Sequence, residues 1–128
     1  MSQPALSKPE DLHPALAAAF NADDLDAMTR LYDPKAVFVT KPGHVTDGPA
    51  ELRAALAKMI GVHGTLAIAP RSFTRSGDVV LALGTFSLSG GKRSDGTPVE
   101  IVGRFADVLR LQPDGRWLLA VDNGFAGE

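Results

Sequence analysis

Two carboxylates set in apolar, strand-like runs are the residues of this chain best placed to do chemistry. Asp107 lies in Pro98–Leu111 and Asp122 in Arg116–Asn123, and Gln112-Pro113-Asp114-Gly115 joins the runs. A carboxylate among apolar neighbours costs free energy unless it is paired, hydrogen-bonded or kept protonated. Two of them on neighbouring strands would separate their titrations, leaving one acid and one base. Strand parity puts Asp107 on one face with Val99, Ile101, Phe105, Leu109 and Leu111, and puts Glu100, Arg104 and Arg110 on the other. If the apolar face lines a pocket, Asp107 is desolvated and its pKa rises. In the last run Leu118, Ala120 and Asp122 share one parity, and Trp117, Leu119, Val121 and Asn123 the other. Structural readings stand beside these: Asp107 paired with a buried Arg or backbone donors, and Asp122 facing solvent at a strand end.

The other chemical groups are scattered. His13 falls in the first helix, His44 in the Lys41–Thr46 loop and His63 after the third helix. None has metal-pair spacing, so no metal and no cofactor are expected. Each reads as a solvated surface residue, and His44 and His63 are also candidate loop bases near neutral pH. There is no Gly-x-Ser-x-Gly elbow and no cysteine nucleophile. Gly90-Gly91-Lys92-Arg93 lacks the spacing and following helix of a phosphate-binding loop, and reads as a hairpin tip.

The elements that must position the carboxylates run helices first, then strands. Ser7-Lys8-Pro9-Glu10 has capping-box spacing ahead of Leu12, Leu16, Ala19 and Phe20, with Pro14 marking a kink or a later start at Asp11. Asp23 and Asp24 open a second helix with Leu25, Met28, Leu31 and Tyr32 on one face, stopped by Pro34. Ala36–Thr40 reads as a short strand. Asp47-Gly48-Pro49 begins a third helix carrying Leu52, Leu56, Met59 and Ile60, and Gly61 ends it. From Thr65 the period becomes two, with a hairpin of 65–74 and 78–89 about Arg75-Ser76-Gly77-Asp78. Gly84 and Gly103 are places where a sheet can bulge or bend. Tyr32, Phe20 and Trp117 read first as core or interface packing.

With 128 residues the chain makes one domain over 1–128, of which residues 1–8 are expected to be a flexible N-terminus. Hydrophobic content of 45% and charged content of 22% exclude disorder and membrane classes. A net charge of −2 gives no footprint for nucleic acid. The absence of cysteine fits a reducing compartment, and neither a signal peptide nor a membrane-length apolar run is visible, so a cytoplasmic location is expected.

Asn21-Ala-Asp-Asp-Leu-Asp-Ala-Met-Thr-Arg-Leu-Tyr32, Pro34-Lys-Ala-Val-Phe38 and Asp47-Gly-Pro-Ala-Glu-Leu52 resemble the nuclear transport factor 2-like superfamily. Gly103-Arg-Phe-Ala-Asp-Val-Leu-Arg-Leu111 and Asp114-Gly-Arg-Trp117 through Asp122-Asn123 extend the resemblance, which looks closest to the SnoaL-like and ketosteroid-isomerase-like branch. The resemblance implies an α+β fold, a cystatin-like cone of three N-terminal helices on a strongly curved mixed or antiparallel sheet, dimeric through the sheet's outer face. It implies Asp107 as a protonated donor, since Asp107-Val-Leu-Arg110 matches the family's motif. The family's base Asp and its oxyanion Tyr are replaced by Thr40-Lys41 and by Leu16 or its neighbours. Standard ketosteroid isomerisation is therefore not expected. The Asp-Arg-Asp set of epoxide hydrolases on this fold would need a bulge at Gly103 to turn Arg104 toward Asp107.

The expectation is a small-molecule pocket protein, with Asp107 and Asp122 as acid and base toward an apolar carbonyl compound. The expected walls are Leu16, Phe20, Tyr32, Phe38, Thr40, Phe105, Leu118 and Ala120. A non-catalytic binder of a small apolar ligand, or an interaction module with a filled cone, are the alternatives. A homodimer through an outer face bearing Val108, Leu119 and Val121 is expected, with no membrane or nucleic-acid partner.

Overall fold

The computed structural model describes residues 6–127. A 3-10 turn, Pro9–Asp11, leads into α1, Leu12–Asn21. Pro14 falls in the first turn of α1, where a backbone N–H has no intrahelical acceptor, so the helix runs through it. The Ser7–Glu10 capping box is not what forms: the Lys8 backbone N–H donates to Asp11 Oδ2 at 3.1 Å, one residue further on. Asp24 caps the short α2, Leu25–Thr29, by accepting the Ala27 N–H at 3.0 Å. Leu31 and Tyr32 lie beyond that helix, and Tyr32 opens β1, Tyr32–Lys41. The loop expected at 41–46 contains the two-residue β2, His44–Val45. α3 spans Gly48–Ile60, with Pro49 in its first turn.

Four strands follow: β3 Thr65–Ser76, β4 Val79–Lys92, β5 Pro98–Leu111 and β6 Trp117–Asp122. They form one six-stranded sheet in the order β2-β1-β6-β5-β4-β3. β1 and β6 run parallel and the other neighbours antiparallel, so the sheet is mixed and the class α+β. The sheet is curled rather than closed, with β2 and β3 at its ends. Gly84 and Gly103 each lie opposite an aromatic residue, Phe105 and Phe86. A Cβ at Gly84 would stand 2.4 Å from the Ala69 carbonyl oxygen and 2.7 Å from the Phe105 ring, so the rings occupy the room that side chains would need. β3 carries its extra residue at Arg71, beside the Pro70–Gly84 pair. Pairing runs regularly past Gly103, through Thr85–Arg104 and Ser87–Val102, so no bulge turns Arg104 toward Asp107.

The helices and the sheet enclose Leu12, Phe20, Met28, Leu56, Leu109 and Leu119, each under 2% exposed. Burial of each such side chain stabilises the fold by about 1.5–3 kcal/mol. Leu119 was expected on the outer face; it pairs with Leu109 and belongs to this core. The carboxy-terminal end of α1 is tied to β3 by Asn21, whose amide donates to the Leu66 carbonyl at 3.0 Å and accepts the Leu66 N–H at 2.8 Å. Leu6 is buried, and its carbonyl accepts the Trp117 N–H at 2.8 Å, so the chain is already anchored inside the stretch expected to be flexible. The rest of that expectation, residues 1–5, lies outside the described residues. No helix among the described residues is long and apolar enough to cross a membrane.

Candidate functional site

Four titratable side chains from four elements meet in the interior: His13 of α1, Tyr32 of β1, Asp107 of β5 and Asp122 of β6. β5 alternates as the sequence indicates, with Val99, Phe105, Asp107 and Leu109 buried. Asp107 is therefore aimed inward beside Phe105, opposite the fully buried Ala82 of β4. β6 reaches the same place by a different route. Leu119 pairs with Leu109 and Val121 with Val108, so Ala120 is an extra residue on β6 and the facing changes there. Beyond the bulge, Asp122 follows Val121 as Asp107 precedes Val108, which makes the two carboxylates neighbours across the strands.

The contacts are specific. Asp107 Oδ2 lies 2.8 Å from His13 Nε2, and Asp107 Oδ1 accepts the Asn123 backbone N–H at 2.9 Å. The Tyr32 hydroxyl donates to Asp122 Oδ2 at 2.5 Å. The His13 ring packs against Phe105 at 4.7 Å between centroids, with Phe73 at 6.4 Å. His13 Nδ1 is buried with no hydrogen-bond partner among the described residues.

Burial sets the protonation. Desolvation pushes the Asp107 carboxyl up to about 7, opposed by the hydrogen bond from Asn123. Desolvation, joined by the charge of Asp107, pushes Asp122 up to about 7 against the Tyr32 hydrogen bond and the nearby His13. His13 is lowered to about 4, because burial disfavours the imidazolium more than the Asp122 charge favours it. The Tyr32 phenol is held well above its usual value, first by burial and then by Asp122. Near neutral pH the cluster therefore holds a neutral imidazole, a neutral phenol and a carboxyl pair that retains a proton.

The remaining residues singled out in the sequence are placed unevenly. Leu16, Phe20, Phe105 and Ala120 are buried in the interior, and Phe38, half-buried, pairs with Asp122 across β1 and β6. Leu118 is also buried, paired with Arg110, but the extra residue at Ala120 puts it out of step with Asp122, so its parity does not carry it to Asp122 as expected. Thr40 is exposed beside the β1–β2 turn, with its hydroxyl 3.4 Å from the His44 carbonyl, and takes no part in the cluster. His44 and His63 are exposed as expected, and His63 lies 3.6 Å from Asp23. His13 corrects the reading of all three as solvated, being 1% exposed. The signal was present in the helical stripe, because His13 precedes Leu16 and Phe20 by three and seven positions. Among the described residues no group of His, Asp or Glu is arranged to hold a metal ion. A cleft of about 220 Å³, lined by Tyr32, Ala36, Leu52 and Arg53 among others, touches Tyr32 of the cluster but not His13, Asp107 or Asp122.

The same architecture recurs in solved structures. A nuclear transport factor 2-like superfamily protein of Salmonella enterica serovar Typhimurium LT2 superposes with a TM-score of 0.76 at 19% identity, over 94% of this chain and 92% of the other. A nuclear transport factor 2-like protein of unknown function from Shewanella oneidensis MR-1 superposes with a TM-score of 0.71 at 23% identity, over 90% and 97%. No curated protein matches the sequence. The model of the SnoaL-like domain matches residues 15–120, and with the helices, curled mixed sheet and inward Asp107 described above it places the chain in the SnoaL-like domain family.

Proposed function

We propose that this chain is a small-molecule pocket protein that moves a proton on an apolar carbonyl compound, using the Asp107–Asp122 pair as acid and base. The carrying observation is the convergence of His13, Tyr32, Asp107 and Asp122 from four elements on one buried point. Raised carboxyl pKa values at about 7 leave one proton to give and one carboxylate to accept it at neutral pH. The surroundings, Phe38, Phe105, Leu16 and Phe20, are apolar, which suits a ligand carrying little charge. The reaction this supports is removal of a proton next to a carbonyl and its return at the same or a conjugated carbon. A hydrogen-bond donor to the enolate oxygen is the other need, and the protonated carboxyl meets it.

The packed interior favours a second reading. Leu12, Phe20, Leu109 and Leu119 leave almost no exposed surface, and Asp107 lines neither the cleft beside Tyr32 nor the one beside Arg110. In that reading the polar cluster only specifies the fold, and the chain works as an association module. The convex face supports association in either case. Leu81 and Leu83 are each 41% exposed and pair with Val108 and Ala106, and Val108 pairs in turn with Val121. We place a second copy of the chain on this face, since so apolar a patch is costly to leave in water.

Wild type and Asp122→Asn are screened by thermal shift with 2-tetralone, 2-indanone and cyclohexenone, and the same ketones are incubated in deuterium oxide. The pocket reading expects wild-type stabilisation of about 2.7 kcal/mol at a 100-fold excess over Kd. It also expects deuterium beside the carbonyl, lost in the variant. Neither stabilisation nor exchange with any ketone overturns it in favour of the filled cone.

A further inference from the structure

We infer that Asp122, presented by Tyr32, is the carboxyl that meets the substrate, while Asp107 is a fixed counter-charge held by His13 and the Asn123 amide. The inference rests on the proposed pocket function and narrows it. Asp122 alone exchanges the proton with the substrate, its ionised fraction taking the proton and the acid so formed returning it, while Asp107 tunes its charge without touching the substrate. These roles differ from what the resemblance implied, where Asp107 itself was the protonated donor.

Hydrogen-bond satisfaction carries the assignment. Both oxygens of Asp107 are engaged, Oδ1 with the Asn123 N–H at 2.9 Å and Oδ2 with His13 Nε2 at 2.8 Å. Its side chain is 3% exposed, and the Phe105 and His13 rings pack beside it. A carboxyl so enclosed leaves a ligand no open approach to either oxygen. Asp122 is half-buried, accepts the Tyr32 hydroxyl through Oδ2, and has no partner for Oδ1 among the described residues.

The orphaned nitrogen of His13 then locates the proton. A neutral imidazole has one N–H, on either Nδ1 or Nε2. If Asp107 were the protonated acid, it would donate to Nε2, and the ring hydrogen would sit on Nδ1, buried with nothing to receive it. An unpartnered buried N–H costs more than an unused acceptor lone pair. The favoured tautomer therefore carries its hydrogen on Nε2 and donates it to an ionised Asp107. With Asp107 ionised, like-charge repulsion keeps the remaining proton on Asp122. The Tyr32 O–H already occupies Oδ2, so that proton sits on Oδ1, the open oxygen.

The groups facing this pair are few. α1 contributes His13, β1 contributes Tyr32, and the strand positions opposite Asp107 on β4 and packed near it on β3 are Ala82 and Phe73. His13 and Asp107 are positioning residues, acting through Asp122. The family match ends at residue 120 and begins at residue 15, so it covers neither His13 nor Asp122.

The test is a carboxyl titration by carbon-13 NMR with infrared detection of the protonated C=O band, on wild type, Asp107→Asn and Asp122→Asn, without any ligand. The expected result is a protonated-carboxyl band near neutral pH that disappears in Asp122→Asn. In Asp107→Asn the Asp122 titration persists with its midpoint at least one pH unit lower, a tenfold fall in proton affinity. A purely structural Asp107 would leave that midpoint in place. Nitrogen-15 shifts of wild-type His13 should show hydrogen on Nε2 and none on Nδ1, a readout that survives if either variant fails to fold. A band lost in Asp107→Asn and kept in Asp122→Asn, or hydrogen on Nδ1, overturns the assignment. Failure of every ketone to bind, with these titrations as expected, would instead remove the pocket reading and leave the proton placement intact.

Discussion

Replacing Asp122 by Asn removes the titrating carboxyl while keeping an amide oxygen to accept the Tyr32 hydroxyl. The magnitude follows from linkage. Asp122 stands at about 7 in the folded protein against 3.8 when free, raised by burial and by the charge of Asp107. Because the folded value is the higher, its contribution to stability is complete below the unfolded pKa and is lost as pH rises through the folded one. At about 1.4 kcal/mol per pH unit, wild type should lose on the order of 3 kcal/mol from this group between about pH 5 and pH 8.5. His13 acts in the opposite sense. Its folded pKa of about 4 lies below the free value of 6.5, so its contribution is present above 6.5 and lost as pH falls toward 4. Wild type alone therefore mixes these trends with that of Asp107, also raised to about 7 by burial. The comparison with Asp122→Asn isolates the Asp122 part, since from about pH 5 upward the folded His13 is essentially neutral in both proteins. The assay is urea unfolding at both pH values. With a slope of about 1.5 kcal/mol/M, the midpoint of wild type relative to the variant should fall by about 2 M from acid to alkaline pH. A difference between the two proteins that stays constant across that range would refute the reasoning, whatever each melting curve did alone.

Three further outcomes are expected. Tyr32→Phe removes the donor to Asp122 Oδ2 and should cost about 1–3 kcal/mol by chemical denaturation, most at alkaline pH where the carboxylate is left uncompensated. Gly84→Ala should cost about 3 kcal/mol or more in thermal unfolding, because its methyl must displace the Ala69 carbonyl or the Phe105 ring. If two copies pair through the convex face as proposed, wild type should run as a dimer by light scattering and Leu83→Lys as a monomer with little change in secondary structure, since Leu83 is 41% exposed there; an unchanged dimer mass would remove that face as the interface.

Much of this fold is legible in the sequence because its signals are local. Period-two alternation from Thr65 onward, with turn residues at Gly77 and Gly115, marks the β3–β4 and β5–β6 hairpins. Asp47-Gly48-Pro49 and Gly61 bracket α3. The inward facing of Asp107 follows from the same alternation. Asp122 is different: parity grouped it with Leu118, and the bulge at Ala120 separates the two. No glycine or proline announces that bulge, which arises from fitting β6 between β1 and β5, a constraint set by residues far apart in the chain. Tyr32 was read on a helical face because Leu25, Met28, Leu31 and Tyr32 share helical spacing. In the structure α2 stops at Thr29, and parallel pairing with β6 draws Tyr32 into β1. His13 was within reach of the sequence, on the stripe of Leu16 and Phe20. A polar residue type obscured a position whose spacing was that of the core.

The hydrogen bonds from Asn21 have a consequence for how this protein shares a crowded solution. β3 is a terminal strand, and unpaired backbone groups along such an edge invite other chains to add themselves as further strands. Asn21 answers the donor and the acceptor of Leu66 as a neighbouring strand would, so that point of the border is already occupied. Further along, Pro70 offers no N–H, and the extra residue at Arg71 breaks the straight run of peptide groups. At the opposite border β2 is only two residues long, too short to template much. Both margins are thus poor seeds for uncontrolled strand growth, while the convex face is left open. The shape tolerates a face-to-face encounter, which ends at two copies, and discourages edge-to-edge addition, which has no natural end.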